Sequence, residues 1–305
     1  MNTVQIVAAS NNLYVPFLSV MLQSVMDFSS PERNYSVTVL HTDIEEQNRK
    51  TLFQMMRNNF RMEFINVSKR MQNYTSLFVS NHIKIETYFR LLLPELMPET
   101  EKVLYIDCDV IANQDVAELY DINTDGYLLA AARDADSAAN YNTHREDKDY
   151  IDNVLKLKNP YDYLQAGVIV MNLKKFRSEC NTERLLNVAL SRQWKFHDQD
   201  TLNYLCQGKI LFVDYAWNFV YDYNESVRRS VVYLSNAPAD ILTAYLEAKK
   251  NPKMIHFSWT DKPWFSPGIH FGEKWWMIAR RTPYYSQMLV RMEEALARYI
   301  LWTQE

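Results

Sequence analysis

Two aspartates, Asp107 and Asp109, stand one residue apart directly after an apolar run that ends at Ile106. Alternate side chains of an extended chain point to the same side, so both carboxylates would face one way. Two carboxylates can hold a hard divalent cation, and such a cation can bridge a diphosphate. The pair therefore predicts a metal-dependent site for a phosphorylated ligand at the end of a strand.

The spacing of this pair is weak evidence by itself, since about one such triplet is expected by chance. The same spacing occurs in three further pairs: Asp134 and Asp136, Asp147 and Asp149, and Asp198 and Asp200. The second of these lies in a run of charged residues and predicts a solvated turn. The pair at Asp107 is preferred because it alone follows a five-residue apolar strand.

Other segments carry side chains that could complete the site. A neutral imidazole at His256 could bind the metal, and Lys262 could meet phosphate charge. A lone histidine after an apolar run is also typical of a half-buried structural residue. Asp198 and Gln199 precede an apolar helical stretch, where an N-cap and an acidic first turn are an equally good interpretation. The residues alone leave these alternatives open.

The elements that must position these residues alternate between apolar runs and helical patterns. Apolar runs predict strands at residues 4–9, 35–40, 61–67, 102–106, 127–132 and 168–173. Helices are predicted at residues 13–28, up to residue 56 after a capping box at 42–45, and at 83–93, where Pro94 would end the helix. Gln165, Ala166 and Gly167 precede the last predicted strand, where the structural interpretation is a tight turn.

Strands separated by helices predict an α/β fold with a doubly wound, mostly parallel, Rossmann-like sheet. Such sheets bind ligands at the carboxyl ends of their strands, so the chemistry should follow Ala9 and Ile106. From about Asp240 the chain is aromatic-rich and helical, with an amphipathic last helix. We expect a catalytic domain over residues 1–265 and a helical extension over 266–305 packed against it.

Composition excludes several classes of function. The chain has 305 residues and a net charge of −4, which argues against nucleic acid as the main partner. Only 5 glycines are present, and none forms a phosphate-binding loop, so side chains and a metal must handle phosphate. The three scattered cysteines and an N-terminus without signal-peptide character predict a cytoplasmic protein. No apolar run has the roughly 18 residues of a membrane helix.

Six segments together resemble glycosyltransferase family eight, the retaining hexosyltransferases that include bacterial lipopolysaccharide galactosyl- and glucosyltransferases and the glycogenins. They are AASNN at 8–12, HIKIETYFRL at 82–91, KVLYIDCDV at 102–110, QAGVIVMNLKKFR at 165–177, HDQDTLN at 197–203 and IHFSWTDKPW at 255–264. Each segment is weak evidence alone, but six in the right order make a specific pattern. The resemblance implies a GT-A fold, a UDP-glucose or UDP-galactose donor, a glycan or glycolipid acceptor and Mn²⁺ or Mg²⁺.

The resemblance also implies a role for each matching residue. The implied metal ligands are Asp107, Asp109 and His256. The implied donor contacts are Ala8, Ser10 and Asn12 at the uridine, Arg90 and Asp134 elsewhere on the donor, Gln165, Ala166 and Gly167 at the sugar, and Lys262 at the diphosphate. Asp198 and Gln199 are implied beside the anomeric carbon. This chain departs from the family at Ser10, at Gln165 and at Trp259, where relatives often carry Asp, Asn and Gly.

Metal and Lys262 would stabilise the charge that develops on the leaving UDP. Retention of configuration allows front-face attack or a covalent intermediate, and the weak basicity of an amide at Gln199 favours front-face attack. The expected product belongs to a lipopolysaccharide, capsule or other surface glycan, made with peripheral contact to the inner membrane face. The alternatives are a haloacid-dehalogenase-like phosphohydrolase and a non-catalytic sugar-nucleotide binding protein. Residues 197–200 match the paired-acid motif of the phosphohydrolases poorly.

Overall fold

A computed structural model describes residues 3–79, 84–221, 231–258 and 262–302. Its strands are β1 Val4–Ala9, β2 Tyr35–His41, β3 Phe60–Asn66, β4 Lys102–Ile106, β5 Val110–Ala112, β6 Leu129–Arg133, β7 Leu164–Asn172, β8 Ile210–Val213, β9 Phe219–Val220 and β10 Met254–His256. Its α-helices are α1 Val15–Phe28, α2 Glu46–Met55, α3 Ser68–Met71, α4 Leu93–Leu96, α5 Ala117–Tyr120, α6 Ala135–Thr143, α7 Arg145–Tyr150, α8 Leu173–Glu179, α9 Thr182–Leu190, α10 His197–Leu205, α11 Val231–Leu234, α12 Ala239–Lys250, α13 Gly272–Ala279 and α14 Tyr285–Trp302. Short 3₁₀ segments occur at Asn12–Tyr14, Gln72–Tyr74, Ile85–Leu92 and Tyr215–Asn218, and a π-helical turn at Ile151–Leu155.

The described strands form a seven-stranded sheet in the order β3-β2-β1-β4-β7-β6-β8 and a three-stranded sheet in the order β5-β10-β9. In the large sheet β7 runs antiparallel to β4 and β6, and the other neighbours are parallel. This mostly parallel sheet confirms the predicted α/β fold class.

The large sheet is buried on both faces, as a doubly wound sheet requires. Alternate residues of β1 contribute to two separate apolar clusters, Ile6 and Ala8 to one and Val7 and Ala9 to the other. Period-2 alternation of a strand explains this division, because successive side chains point to opposite faces. The continuous apolar run of β1 therefore follows from its place in the middle of the sheet.

Two predicted helix boundaries were wrong. Glu45 is the residue before α2 and makes no capping hydrogen bond, and Asp43 instead accepts a hydrogen bond from the Asn12 backbone at 2.9 Å. Tertiary contact with the β1 loop has replaced the predicted local cap. Pro94 does not end a helix but lies in the first turn of α4, where its missing N–H has no helical partner to lose.

The third difference concerns β7, which begins at Leu164 and so includes Gln165, Ala166 and Gly167. The turn expected at Gly167 is absent from β7, and this glycine has no positive φ. Asp147 likewise lies in helix α7, buried and paired with Lys195, rather than in a solvated turn.

The described C-terminal residues pack against α1 through aromatic rings. Trp264 is fully buried and stacks on Phe17 with ring centroids 3.8 Å apart, and Trp275 of α13 lies 5.3 Å from Trp264. Met288 of α14 is also fully buried. The division into a catalytic domain over residues 1–265 and a helical extension over 266–305 stays a prediction. Of the helices described here, none has the length and apolarity to cross a membrane.

Candidate active site

The registers of the two sheets bring three distant residues together. In the antiparallel pair of β10 with β5, His256 lies opposite Val110, next to Asp109. In the pair of β4 with β7, the backbone N–H of Asp107 donates to the carbonyl of Gly167 at 2.8 Å. One donor atom from each of Asp107, Asp109 and His256 therefore lies within 4.8 Å of the others. Two carboxylates and an imidazole form a donor set that could hold a divalent metal ion.

Lys262 lies against the same carboxylates. Its ammonium group is 2.5 Å from Asp109 Oδ2 and donates to the carbonyl of Phe257 at 2.6 Å. His256 Nε2 lies 3.3 Å from Asp109 Oδ1 on the other side. Burial by itself would raise the pKa of Asp109, but Lys262 and His256 outweigh it and hold that pKa below its ordinary range. Asp109 is therefore ionised at neutral pH, as a metal ligand must be.

Arg90 joins the metal-binding aspartates to the predicted catalytic segment. Its guanidinium contacts Asp107 Oδ1 at 2.8 Å and Asp198 Oδ2 at 2.9 Å, and it also donates to the carbonyl of Ala166. Burial would lower the pKa of Arg90, but Asp107 and Asp198 raise it overall. For the two carboxyls burial is the largest cause, and it raises the pKa of each against the opposing effect of Arg90. In this structure Arg90 is engaged by protein groups, and a donor contact stays a prediction.

Gln199 is held at both ends of its amide. Its Oε1 accepts from the Ala166 backbone at 2.8 Å, and its Nε2 lies 3.2 Å from the Tyr163 hydroxyl. That hydroxyl lies 2.6 Å from Asp200 Oδ1, which only accepts when ionised, so Tyr163 donates there and accepts from Gln199. The Asp198 carboxylate is bound by Arg90 and Thr87. These contacts fix both residues at the cavity wall.

A cavity of about 470 Å³ connects these groups. Its lining contains all three proposed metal ligands together with Arg90, Asp134, Gln165, Ala166, Gly167, Asp198, Gln199 and Lys262. Volumes of 300–1,000 Å³ are usual for small-molecule sites. The structure thus gathers residues from six separate sequence segments around one space of the size that is usual for a small-molecule site.

The sequence comparison decides the family. The model for Glycosyl transferase family 8 matches residues 5–268. The chain belongs to glycosyl transferase family 8. This membership confirms the resemblance drawn from the six motifs and favours a glycosyltransferase over a phosphohydrolase.

Similar proteins and solved structures agree with that assignment. The chain is 24% identical over 274 residues to General stress protein A of Bacillus subtilis (strain 168), covering 87% of this chain and 88% of the relative. It is 27% identical over 198 residues to the Lipopolysaccharide 1,2-glucosyltransferase of Escherichia coli (strain K12), covering 63% and 53%. The structure of the galactosyltransferase LgtC, in complex with donor and acceptor sugar analogs, superposes with a TM-score of 0.73 at 23% identity, covering 92% of this chain and 96% of that one. This likeness establishes the GT-A fold.

The nucleotide-binding residues predicted at the end of β1 divide into two groups in this family 8 chain. Ser10 is buried and lines the cavity together with Asn11, which the motif did not single out. Ala8 is fully buried inside the sheet, and Asn12 accepts hydrogen bonds from Glu45 and Asn48. Ala8 and Asn12 therefore support the loop from behind, and their contact with uridine stays a prediction.

Asp134 forms the rim of the cavity beside α6. Its Oδ1 accepts from the backbone N–H groups of Asp136 and Ser137 at 3.0 and 3.1 Å, which makes it the N-cap of that helix. The wall continues through Asp147, Tyr150 and Lys195, which lie far from the Asp107 pair in sequence. Asp134 and Asp147, from two of the other Asp-x-Asp pairs, thus have structural roles, Asp134 as a helix cap and Asp147 as the partner of Lys195.

Sequence reasoning missed Tyr163, Asn218 and Thr87, which orient Gln199, His256 and Asp198. Thr87 lies within the motif at residues 82–91, so that motif could have indicated its role. Tyr163 and Asn218 stand in aromatic stretches that carry no sign of polar function. Trp259, the third departure from the family pattern, lies outside the described residues.

Proposed function

We propose that this chain is a retaining glycosyltransferase that moves glucose or galactose from a UDP-sugar to a hydroxyl group of a glycan or glycolipid. The acceptor would belong to a lipopolysaccharide, a capsule or another cell-surface glycan. The observation that carries the proposal is that the Asp107, Asp109 and His256 cluster, Lys262 and Gln199 all line one cavity. The glucosyl- and galactosyltransferase relatives support the choice of hexose.

The cluster of Asp107, Asp109 and His256 supports a metal-bound diphosphate in this cavity. Asp107, Asp109 and His256 would hold Mn²⁺ or Mg²⁺, which supplies positive charge to the leaving diphosphate. Lys262 lies beside Asp109 and carries a second positive charge into the same place. Both charges favour departure of UDP, because the leaving group gains negative charge as the glycosidic bond breaks.

The contacts of Gln199 and Asp198, which we assign to the hexose, support front-face attack. Gln199 donates to Tyr163 and accepts from Ala166, and a neutral amide is a poor nucleophile. Asp198 is a carboxylate, but its oxygens are bound by Arg90 and Thr87. Neither side chain is arranged as a free nucleophile, so we assign them to orienting the hexose and stabilising its positive charge. The acceptor hydroxyl would then attack on the face that UDP leaves, which retains configuration.

The remaining wall supports an acceptor rich in hydroxyl groups. Asp136, Asn140 and Tyr150 line this part of the cavity, and side chains of these types exchange hydrogen bonds with sugar hydroxyls. The chain spans only 53% of the Escherichia coli glucosyltransferase, so the acceptor of that protein is not transferred to this one. Cys108, Cys180 and Cys206 are buried free thiols, which supports the proposed cytoplasmic location.

Product analysis tests the proposed function directly. The protein is incubated with UDP-glucose or UDP-galactose and Mn²⁺, and free UDP, inorganic phosphate and anomeric configuration are measured. We expect UDP release with one of the two donors and an α-linked product, because the donor is α-configured and configuration is retained. Release of inorganic phosphate would favour the phosphohydrolase, and tight binding without any release would favour the sugar-nucleotide binding protein.

The matched control for this assay is Asp149→Asn. Asp149 belongs to another Asp-x-Asp pair but is an exposed residue of α7. It should leave UDP release unchanged, whereas Asp107→Asn should abolish most of it. Equal activity of the two variants would contradict the assignment of Asp107.

A further inference from the structure

His256 contacts a second polar residue on the side away from Asp109. Its Nδ1 lies 3.0 Å from Oδ1 of Asn218, and its Nε2 lies 3.3 Å from Oδ1 of Asp109. An imidazole nitrogen binds a metal through its lone pair, so the ring binds through Nε2 only when Nδ1 carries the hydrogen. Whatever fixes the hydrogen on Nδ1 therefore prepares the metal site.

The orientation of the neighbouring amides can be derived from one backbone group. The N–H of Gly167 is always a donor, and it lies 2.6 Å from the side chain of Gln165, so the Gln165 atom there is the acceptor Oε1. Asn218 contacts the same Oε1 at 2.7 Å and must do so through its NH₂ group. The oxygen of Asn218 is then the atom that faces His256, and Nδ1 of His256 must donate to it.

Because these residues are buried, each of them depends on its hydrogen-bond partner in this chain. Gln165, Asn218 and His256 are 8%, 2% and 2% exposed, so solvent offers no easy replacement for a lost partner. A reversed amide at Asn218 would place two donors or two acceptors in contact, which is costly in a buried site. Gly167 completes the arrangement, because a Cβ at that position would lie 2.2 Å from Cε1 of His256.

We propose that Asn218 and Gln165 are positioning residues of the metal site, which hold His256 with its hydrogen on Nδ1 and its Nε2 directed at Asp109. This inference rests on the proposed metal-binding role of His256. It gives Gln165 a function different from the sugar contact that the family resemblance implies. Loss of such outer partners typically lowers metal affinity by about 10- to 100-fold.

The test compares substitutions that break the hydrogen-bond chain with one that keeps it. Asn218→Leu removes the acceptor for Nδ1, and Gln165→Met removes the acceptor that orients Asn218. Gln165→Glu keeps an acceptor for both Gly167 and Asn218. We expect Mn²⁺ affinity to fall about 10- to 100-fold in the first two variants and to stay within about threefold in the third.

Mn²⁺ affinity is measured by electron paramagnetic resonance with Mn²⁺ alone, without nucleotide sugar. The control is Asn59→Leu, since the Asn59 amide also donates two hydrogen bonds, here to backbone carbonyls, but Asn59 directly precedes β3, at the edge of the large sheet and away from the cavity. That control should lose stability without losing Mn²⁺ affinity. No sugar transfer is measured in this test. The inference can therefore fail while the proposed function holds, and the proposed function can fail while the inference holds.

A spectroscopic readout covers the case in which a variant does not fold. The ¹⁵N shift of Nδ1 in the metal-free wild-type protein is assigned to His256 by its disappearance in His256→Gln. We expect the shift of a protonated Nδ1 in the wild type and in Gln165→Glu. An unprotonated Nδ1 in the wild type would overturn the inference, as would Mn²⁺ affinity within about threefold of wild type in a folded Asn218→Leu protein.

Discussion

Replacing Lys262 by methionine should change metal and nucleotide affinity in opposite directions. The Lys262 ammonium group lies 2.5 Å from Asp109 Oδ2, so it neutralises the carboxylate that a metal ion needs. When Mn²⁺ binds without nucleotide, it must either displace the Lys262 ammonium group or bind against its repulsion. Methionine has a similar length and no charge, so it removes the competition while filling much of the same volume. With UDP present, the same substitution removes a positive charge from the diphosphate.

The structure sets the expected size of both effects. The Lys262 and Asp109 side chains are only 11% and 16% exposed, so their contact is less screened than a surface ion pair. A hydrogen bond to a charged group contributes about 1.5–3 kcal/mol. Taking the lower end, because His256 still faces Asp109, gives roughly a tenfold gain in Mn²⁺ affinity at about 1.4 kcal/mol per factor of ten. Affinity for UDP with Mn²⁺ present should fall by about the same factor, since one charged contact is lost.

Mn²⁺ affinity is measured by electron paramagnetic resonance without nucleotide, and UDP affinity by calorimetry at saturating Mn²⁺. Lys274→Met is the matched control, because it makes the same change of charge on an exposed residue of α13. The control should alter neither affinity. If Lys262→Met weakens Mn²⁺ binding, or leaves it equal to that of the control, the competition inferred from the Asp109 contact is wrong.

Three further predictions concern the aspartates and Gln199. Asp109→Asn should raise the Mn²⁺ concentration needed for UDP release and lower turnover by orders of magnitude, and normal turnover at ordinary Mn²⁺ would refute its assignment. Gln199→Ala should lower kcat far more than UDP affinity, because the amide is assigned to the hexose in the proposed function; lost UDP affinity with intact kcat would contradict this role. Burial raises the pKa of Asp198 despite Arg90, so its ionisation removes stability as pH rises from the ordinary carboxyl pKa through the raised one. Asp198→Asn should therefore match or exceed the wild-type melting temperature at pH 7 while turnover falls, and a melting temperature several degrees lower would show that the charge stabilises the fold.

Local patterns predicted the elements whose cause is local. Continuous apolar runs identified β1 and β4, because strands in the centre of a parallel sheet are buried on both faces. The same apolar run also identified Asp107 and Asp109 as a candidate site, because two carboxylates directly after a buried strand are conspicuous in the sequence. The capping box before α2 was wrong, because the helix begins after Glu45, which makes no capping hydrogen bond, and the preceding Asp43 contacts Asn12 instead. A contact between residues so far apart in the chain cannot be seen in the pattern of residues 42–45.

The sequence by itself determined the family, the fold class and the proposed metal ligands, because these depend on residue types that recur in a fixed order. Only the tertiary structure decided how those residues are held. The antiparallel pairing of β7 with β4 places Gly167 beside Asp107, and the register of β10 on β5 places His256 beside Asp109. The contact between Asn218 and His256 also depends on the tertiary fold, since the two residues are far apart in the chain. Pairing register and the direction of a buried amide depend on atoms far apart in the chain, so local sequence does not encode them in a readable form.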